Sequence, residues 1–212
     1  MYINKEKARA LAQKYVQKGQ LDKAVREYER LAEETPTDIR SLLKVAELQT
    51  QLGNLETGAE TYMRVAGVYV SEGFLLKAVA VYKQVLKLSS EHLDANLKLG
   101  EMYTKLNLNA NAVEQYRHVC KIYEDSGRAA HCIPVLRTIV SLVPQQIVYR
   151  VKLAELCAQY GAVEEAKREL QVAAKGTKVH EQLDDFIRVS ERILQLDPSQ
   201  IYLARELGNF YL

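Results

Sequence analysis

Leu42, Val45, Ala46 and Gln49 recur three or four positions apart, so they share one side of a helix. The same period runs through nearly the whole chain. It is interrupted at short intervals by Gly19, Gly53, Gly73, Gly127 and Gly161, where a tight turn needs a permissive backbone. Pro36, Pro144 and Pro198 also fall between periodic segments, where the missing backbone donor is tolerated. The pattern predicts helices over 4–17, 21–34, 38–51, 55–71, 75–88, 92–105, 109–126, 129–142, 146–159, 163–179, 182–195 and 199–211. Pro134 follows Gly127 closely enough to belong to the first turn of the helix over 129–142.

These segments repeat. The shift that lays Leu11 on Val45 also lays Ala12 on Ala46, Gly19 on Gly53, Ala24 on Gly58 and Tyr28 on Tyr62. A shorter shift then carries Gly53, Gly58, Tyr62 and Val65 onto Gly73, Ala78, Tyr82 and Val85. The turn positions run Gly53, Gly73, Asn107, Gly127, Gly161 and Glu181, with the short and long steps in alternation. One short and one long step together make a larger unit, as from Gly53 to Asn107, that holds three helices. LLKVAELQTQLG from Leu42 returns as NLKLGEMYTKLN from Asn96 and RVKLAELCAQYG from Arg150, with Lys44, Lys98 and Lys152 in register and likewise Glu47, Glu101 and Glu155. Small residues at Ala12, Ala46, Gly100 and Ala154 admit a close neighbouring helix, and Tyr28, Tyr62, Tyr82 and Tyr116 fill the space between layers. Such an array is stabilised chiefly by contacts between neighbouring repeats.

Leu11, Ala12, Tyr15, Gly19, Ala24, Tyr28, Leu31 and Pro36, and again Leu99, Gly100, Tyr103, Ala112, Tyr116 and Val119, resemble the small–large pattern of the tetratricopeptide repeat family. The resemblance covers practically the whole chain. It implies an all-α, right-handed superhelical solenoid of about twelve antiparallel helices, expected as one continuous domain over 1–212. The short step departs from a simple tandem array: 55–71, 109–126 and 163–179 each read both as the second helix of one unit and as the first of the next. At the C-terminus Leu207, Gly208 and Tyr211 repeat the characters of Leu153, Ala154 and Cys157. A further repeat or domain beyond Leu212, a capping role for the last helix, and end-to-end self-association through it are the alternatives this pattern leaves open.

Family resemblance places ligand contacts on the exposed sides of first helices. The candidates so implied are Arg9, Gln13, Gln17, Lys44, Glu47, Gln51, Lys98, Glu101, Lys105, Lys152, Glu155 and Gln159. The competing reading of each Lys–Glu pair is a solvent-facing helix stabilised by a few tenths of a kcal/mol. Some relatives clamp the C-terminal carboxylate of chaperones with Lys, Asn and Arg; the matching positions here are Arg9, Gln13, Lys44, Glu60 and Arg64, and the glutamine and glutamate spoil that clamp. Similar bacterial multi-repeat proteins are assembly scaffolds, some engaging small GTPases or motility and secretion machinery.

Composition narrows the remaining classes. Lys and Arg number 29 against 27 Asp and Glu, a net +2, which gives no broad attraction to nucleic acid or acidic lipid. The local basic stretch of Lys167, Arg168, Lys175 and Lys178 is broken by Glu164, Glu165, Glu169 and Glu181 and lacks a stacking platform, so no nucleic-acid partner is expected. No run of apolar residues is long enough to span a bilayer, so no direct membrane insertion is expected. Cys120, Cys132 and Cys157 form no CxxC pair and suit a reducing, cytoplasmic compartment. Cys120, His118, His131 and Cys132 are the nearest approach to a metal or Cys–His cluster, but the cysteines occupy packing positions, and His92 and His180 stand apart. No glycine-rich phosphate loop or zinc-protease motif is present. The expectation is a non-enzymatic adaptor without cofactor, binding a protein or linear peptide within a larger assembly; the alternative is a structural or self-associating repeat segment.

Overall fold

A computed structural model describes residues 5–179 and 183–210; His180, Glu181, Tyr211 and Leu212 lie outside the described residues. The helices are α1 (Lys5–Gln17), α2 (Leu21–Glu34), α3 (Ile39–Gln51), α4 (Leu55–Ser71), α5 (Leu75–Leu88), α6 (Leu93–Lys105), α7 (Asn109–Asp125), α8 (Cys132–Leu142), α9 (Ile147–Gln159), α10 (Val163–Val179), α11 (Leu183–Leu196) and α12 (Ile201–Phe210). They follow the sequence periodicity closely at most boundaries. The exception is the segment expected as one helix over 129–142, where Ala129–His131 forms a 3-10 turn and the α-helix begins at Cys132. Pro134 has no N–H to donate and its ring crowds the carbonyl four positions back, so a regular α-helix cannot run upstream through it.

The turns that set the repeat share one geometry. Gly19, Gly53, Gly73, Gly127 and Gly161 have positive φ, and Asn107 takes the same left-handed conformation at φ 57°. Asparagine is among the few other residues that adopt it readily. The next residue then donates its N–H to the carbonyl five positions back, as from Asn54 to Gln49 at 2.9 Å and from Leu108 to Tyr103 at 2.9 Å. This bond satisfies a carbonyl that the helix end leaves open. Two of the longer connections use side-chain caps. Asp38 accepts the backbone N–H of Ser41 at the start of α3, and His92 Nδ1 accepts that of Ala95 at the start of α6.

The chain divides into two compact units, Met1–Leu108 and Asn109–Leu212. In the first, Ala8, Ala12, Ala24, Val25, Tyr28, Leu31, Val45 and Leu48 pack together across α1, α2 and α3. In the second, Leu153, Ala154 and Cys157 of α9 are buried, as are Ala166, Leu170 and Ala173 of α10. Consecutive helices within each unit pack against one another. Helices two apart also touch. Arg9 of α1 reaches Asp38 before α3 at 2.6 Å, Lys152 of α9 reaches Glu124 of α7 at 2.7 Å, and Arg137 of α8 reaches Glu165 of α10 at 2.7 Å. In the second unit α7, α9 and α11 therefore lie side by side, as do α8 and α10.

Candidate functional site

Gln13, Gln17, Lys44, Gln51, Lys105, Glu155 and Gln159 are exposed, and Glu47, Lys98, Glu101 and Lys152 are partly so. All of these are surface positions. Arg9 departs from the row. The shift that lays Leu11 on Val45 aligns Arg9 with Leu43, a half-buried packing position, while Ala10 aligns with Lys44. The Arg9 guanidinium is spent on Asp38, tying α1 to the cap of α3.

Two of the three repeated Lys–Glu pairs close on themselves. Lys44 reaches Glu47 at 2.6 Å and Lys98 reaches Glu101 at 3.1 Å, with all four side chains well exposed. Hydrogen bonding to Glu47 raises the Lys44 ammonium above its ordinary pKa. Exposed pairs of this spacing contribute about 0.2–0.5 kcal/mol each and leave the groups accessible.

The third pair opens outward. Lys152 turns to Glu124 on α7, and Glu155 faces Arg192 on α11 at 3.7 Å. Partial burial would lower the Lys152 pKa, but the Glu124 carboxylate raises it. Between α9 and α11 lies an open hollow of about 490 Å³, lined by Lys152, Glu155, Leu156, Ala158, Gln159 and Arg192. It offers alternating charge, one amide and an apolar floor, which suits the backbone and mixed side chains of an extended peptide. Lys152, Glu155 and Gln159 belong to the sequence-derived row. Arg192 and Glu124 do not, and no local signal marks them: only the side-by-side placement of α7, α9 and α11 makes them neighbours.

The cysteines occupy the core. Cys120, Cys132 and Cys157 are buried and free, and the Cys132 thiol donates to the Cys120 carbonyl at 3.4 Å. Burial pushes the Cys120 thiol up to about 12 and raises the other two. They are protonated thiols at neutral pH, the opposite of an activated nucleophile. Among the described residues no three His, Cys, Asp or Glu side chains converge as a metal site. Also among them, no helix is long and apolar enough to cross a membrane.

Residues 68–127 match the tetratricopeptide repeat family model. DnaJ homolog subfamily C member 3 of Gallus gallus is 21% identical over 160 residues, covering 69% of this chain and 31% of that protein, so the match spans under a third of the relative's length. Among solved structures, a tetratricopeptide repeat protein from Parabacteroides merdae is 15% identical, with 96% of this chain and 97% of that one covered and a TM-score of 0.31. BtubC from P. vanneervenii is 14% identical, with 93% and 92% covered and a TM-score of 0.42. The family match runs from the end of α4 through α7, and the small, aromatic and turn positions inside it recur along the rest of the helical array. Residues 68–127 thus carry the tetratricopeptide repeat within an all-helical array, a repeat fold that supports protein–protein interaction and scaffolding in general.

Proposed function

We propose that this chain is a non-enzymatic adaptor that recognises a linear segment of a partner protein on the α9–α11 face and holds it within a larger cytoplasmic assembly. The observation that carries this reading is the hollow where Lys152, Glu155 and Gln159 meet Arg192 over Leu156 and Ala158. Their charges are paired yet exposed, so a partner exchanges one set of surface ion pairs for another without burying a lone charge. A component of motility, secretion or small-GTPase-linked machinery is the proposed partner class. Affinity capture from native extract, followed by direct titration of the captured protein, tests this. Replacing Lys152, Gln159 and Arg192 together with alanine is expected to weaken binding at least tenfold while the helical circular dichroism is kept. Undiminished binding by that folded variant removes the α9–α11 face from the reading.

A self-associating segment is the second reading, favoured by Ile201 of α12, which is 77% exposed where Ile147, its copy in α9, is 8% exposed. Leu207, a contact expected for such association, is itself buried, and Tyr211 lies outside the described residues. Concentration-dependent sedimentation abolished by Ile201→Glu favours this reading over the first.

A further inference from the structure

A second hollow, of about 380 Å³, lies in the first unit where the start of α4 meets the α5–α6 connection. Leu55, Ala59 and Leu88 supply apolar surface, and Glu56, Glu60, Ser89 and His92 supply the polar rim. Glu56 and Glu60, one helical turn apart and exposed, have no ion-pair partner among the described residues. The Nδ1 of His92 already accepts the Ala95 N–H, which leaves the neutral ring's proton on Nε2.

In the two other copies, contacts within the chain cross this place. In the second copy, Asn109 stands for Leu55 and Leu142 for Leu88, and the Asn109 amide donates to the Leu142 carbonyl at 3.5 Å. In the third copy, Lys167 stands for Ala59, Glu164 for Glu56, Arg168 for Glu60 and Asp197 for Ser89. There the Lys167 ammonium sits between Glu164 at 3.4 Å and Asp197 at 3.7 Å. The first copy keeps the glutamate but has alanine where the lysine stem would lie and a second glutamate where the arginine would be. It is therefore two cations short, with two uncompensated carboxylates beside an unfilled apolar floor.

We propose that this hollow takes one lysine or arginine side chain from a partner peptide, occupying the space that Lys167 fills in the third copy. The methylene stem lies on Leu55, Ala59 and Leu88, and the cation lies against Glu56, as Lys167 lies against Glu164, with Glu60 and Ser89 beside it on the rim. An apolar residue beside the basic one covers the remaining face, so the recognised segment is basic and apolar in alternation. The site is separate from the α9–α11 face and does not depend on it.

The test is an NMR titration of the ¹⁵N-labelled chain with acetyl-Leu-Ala-Lys-Leu-Ala-amide and with the same peptide carrying norleucine for lysine. The lysine peptide is expected to shift the amides of Glu56, Glu60, Ser89 and His92 saturably, and the norleucine peptide to bind at least fivefold more weakly. Glu56→Gln with Glu60→Gln is expected to weaken the lysine peptide at least fivefold, and Ala59→Lys, which rebuilds the third copy's arrangement, to abolish its binding. Equal affinity for the two peptides, absence of shifts, or shifts confined elsewhere overturns the proposal, as does full binding by either folded variant. Should Ala59→Lys fail to fold, the glutamine variant, which changes no volume in the hollow, decides alone.

Discussion

Asp38 is where single-residue chemistry has the widest reach. Burial alone would raise its carboxyl pKa, but the Ser41 hydroxyl and backbone N–H and the Arg9 guanidinium hold it below the ordinary value. A carboxylate whose pKa is lowered in the folded state contributes stability that is fully present above its unfolded pKa, about 3.9, and is lost as pH falls through the folded value. Asp38→Ala is therefore expected to lower the thermal midpoint at neutral pH, by an amount equivalent to about 0.5–2 kcal/mol for a lost cap. The gap from the parent protein is expected to narrow steadily below about pH 4. Thermal melts of both proteins between neutral and acid pH check this; a pH-independent gap assigns the loss to packing. Asp38 falls at the first position of the helix expected over 38–51, so its capping role, like its guanidinium partner, came from the structure. Arg9 belongs to a helix well upstream, and its distance to Asp38 depends on how α1 packs.

At the scale of the element, helix pairs adjust volumes across their closest approach. Thr50 of α3 donates its hydroxyl to the Ala46 carbonyl at 2.8 Å, and a Cβ added to Gly58 of α4 would lie 2.8 Å from that hydroxyl oxygen. In α9 and α10 the corresponding residues are Ala154, Ala158 and Ala166: the smaller side chain at 158 accompanies the larger one at 166. Gly58→Ala gains roughly 1 kcal/mol of helix propensity, and the clash with Thr50 is expected to cancel or reverse that gain. In a Thr50→Ala background the same change is expected to stabilise by about 1 kcal/mol, because the clash is gone. Urea denaturation of the four proteins measures the coupling, and additive effects would show that Thr50 moves aside freely. The positions of glycine and threonine are plain in the sequence. Their mutual exclusion is not, since it follows from two helices approaching to within a methyl group.

At the scale of the whole molecule, stability is expected to be distributed along neighbouring helices. Leu153 of α9 is 1% exposed, and Leu153→Ala is expected to cost about 2–5 kcal/mol. Because repeat helices gain most of their contacts from their sequence neighbours, amide-exchange protection is expected to fall most in α8, α9 and α10 and much less in α1 and α2. Uniform loss throughout would instead mark a single cooperative fold. The sequence by itself determined the helices, their turns and the three-helix register, because apolar period and left-handed turn residues act over only a few neighbours. It also marked Lys152, Glu155 and Gln159 as surface residues. Only the tertiary structure decided that Lys152 leaves Glu155 for Glu124, and that Arg192 completes the α9–α11 hollow. It likewise decided that the place filled by Lys167 in one copy stands open beside Glu56 in another. Those outcomes depend on distances between helices far apart in the chain, which periodicity within a helix does not encode.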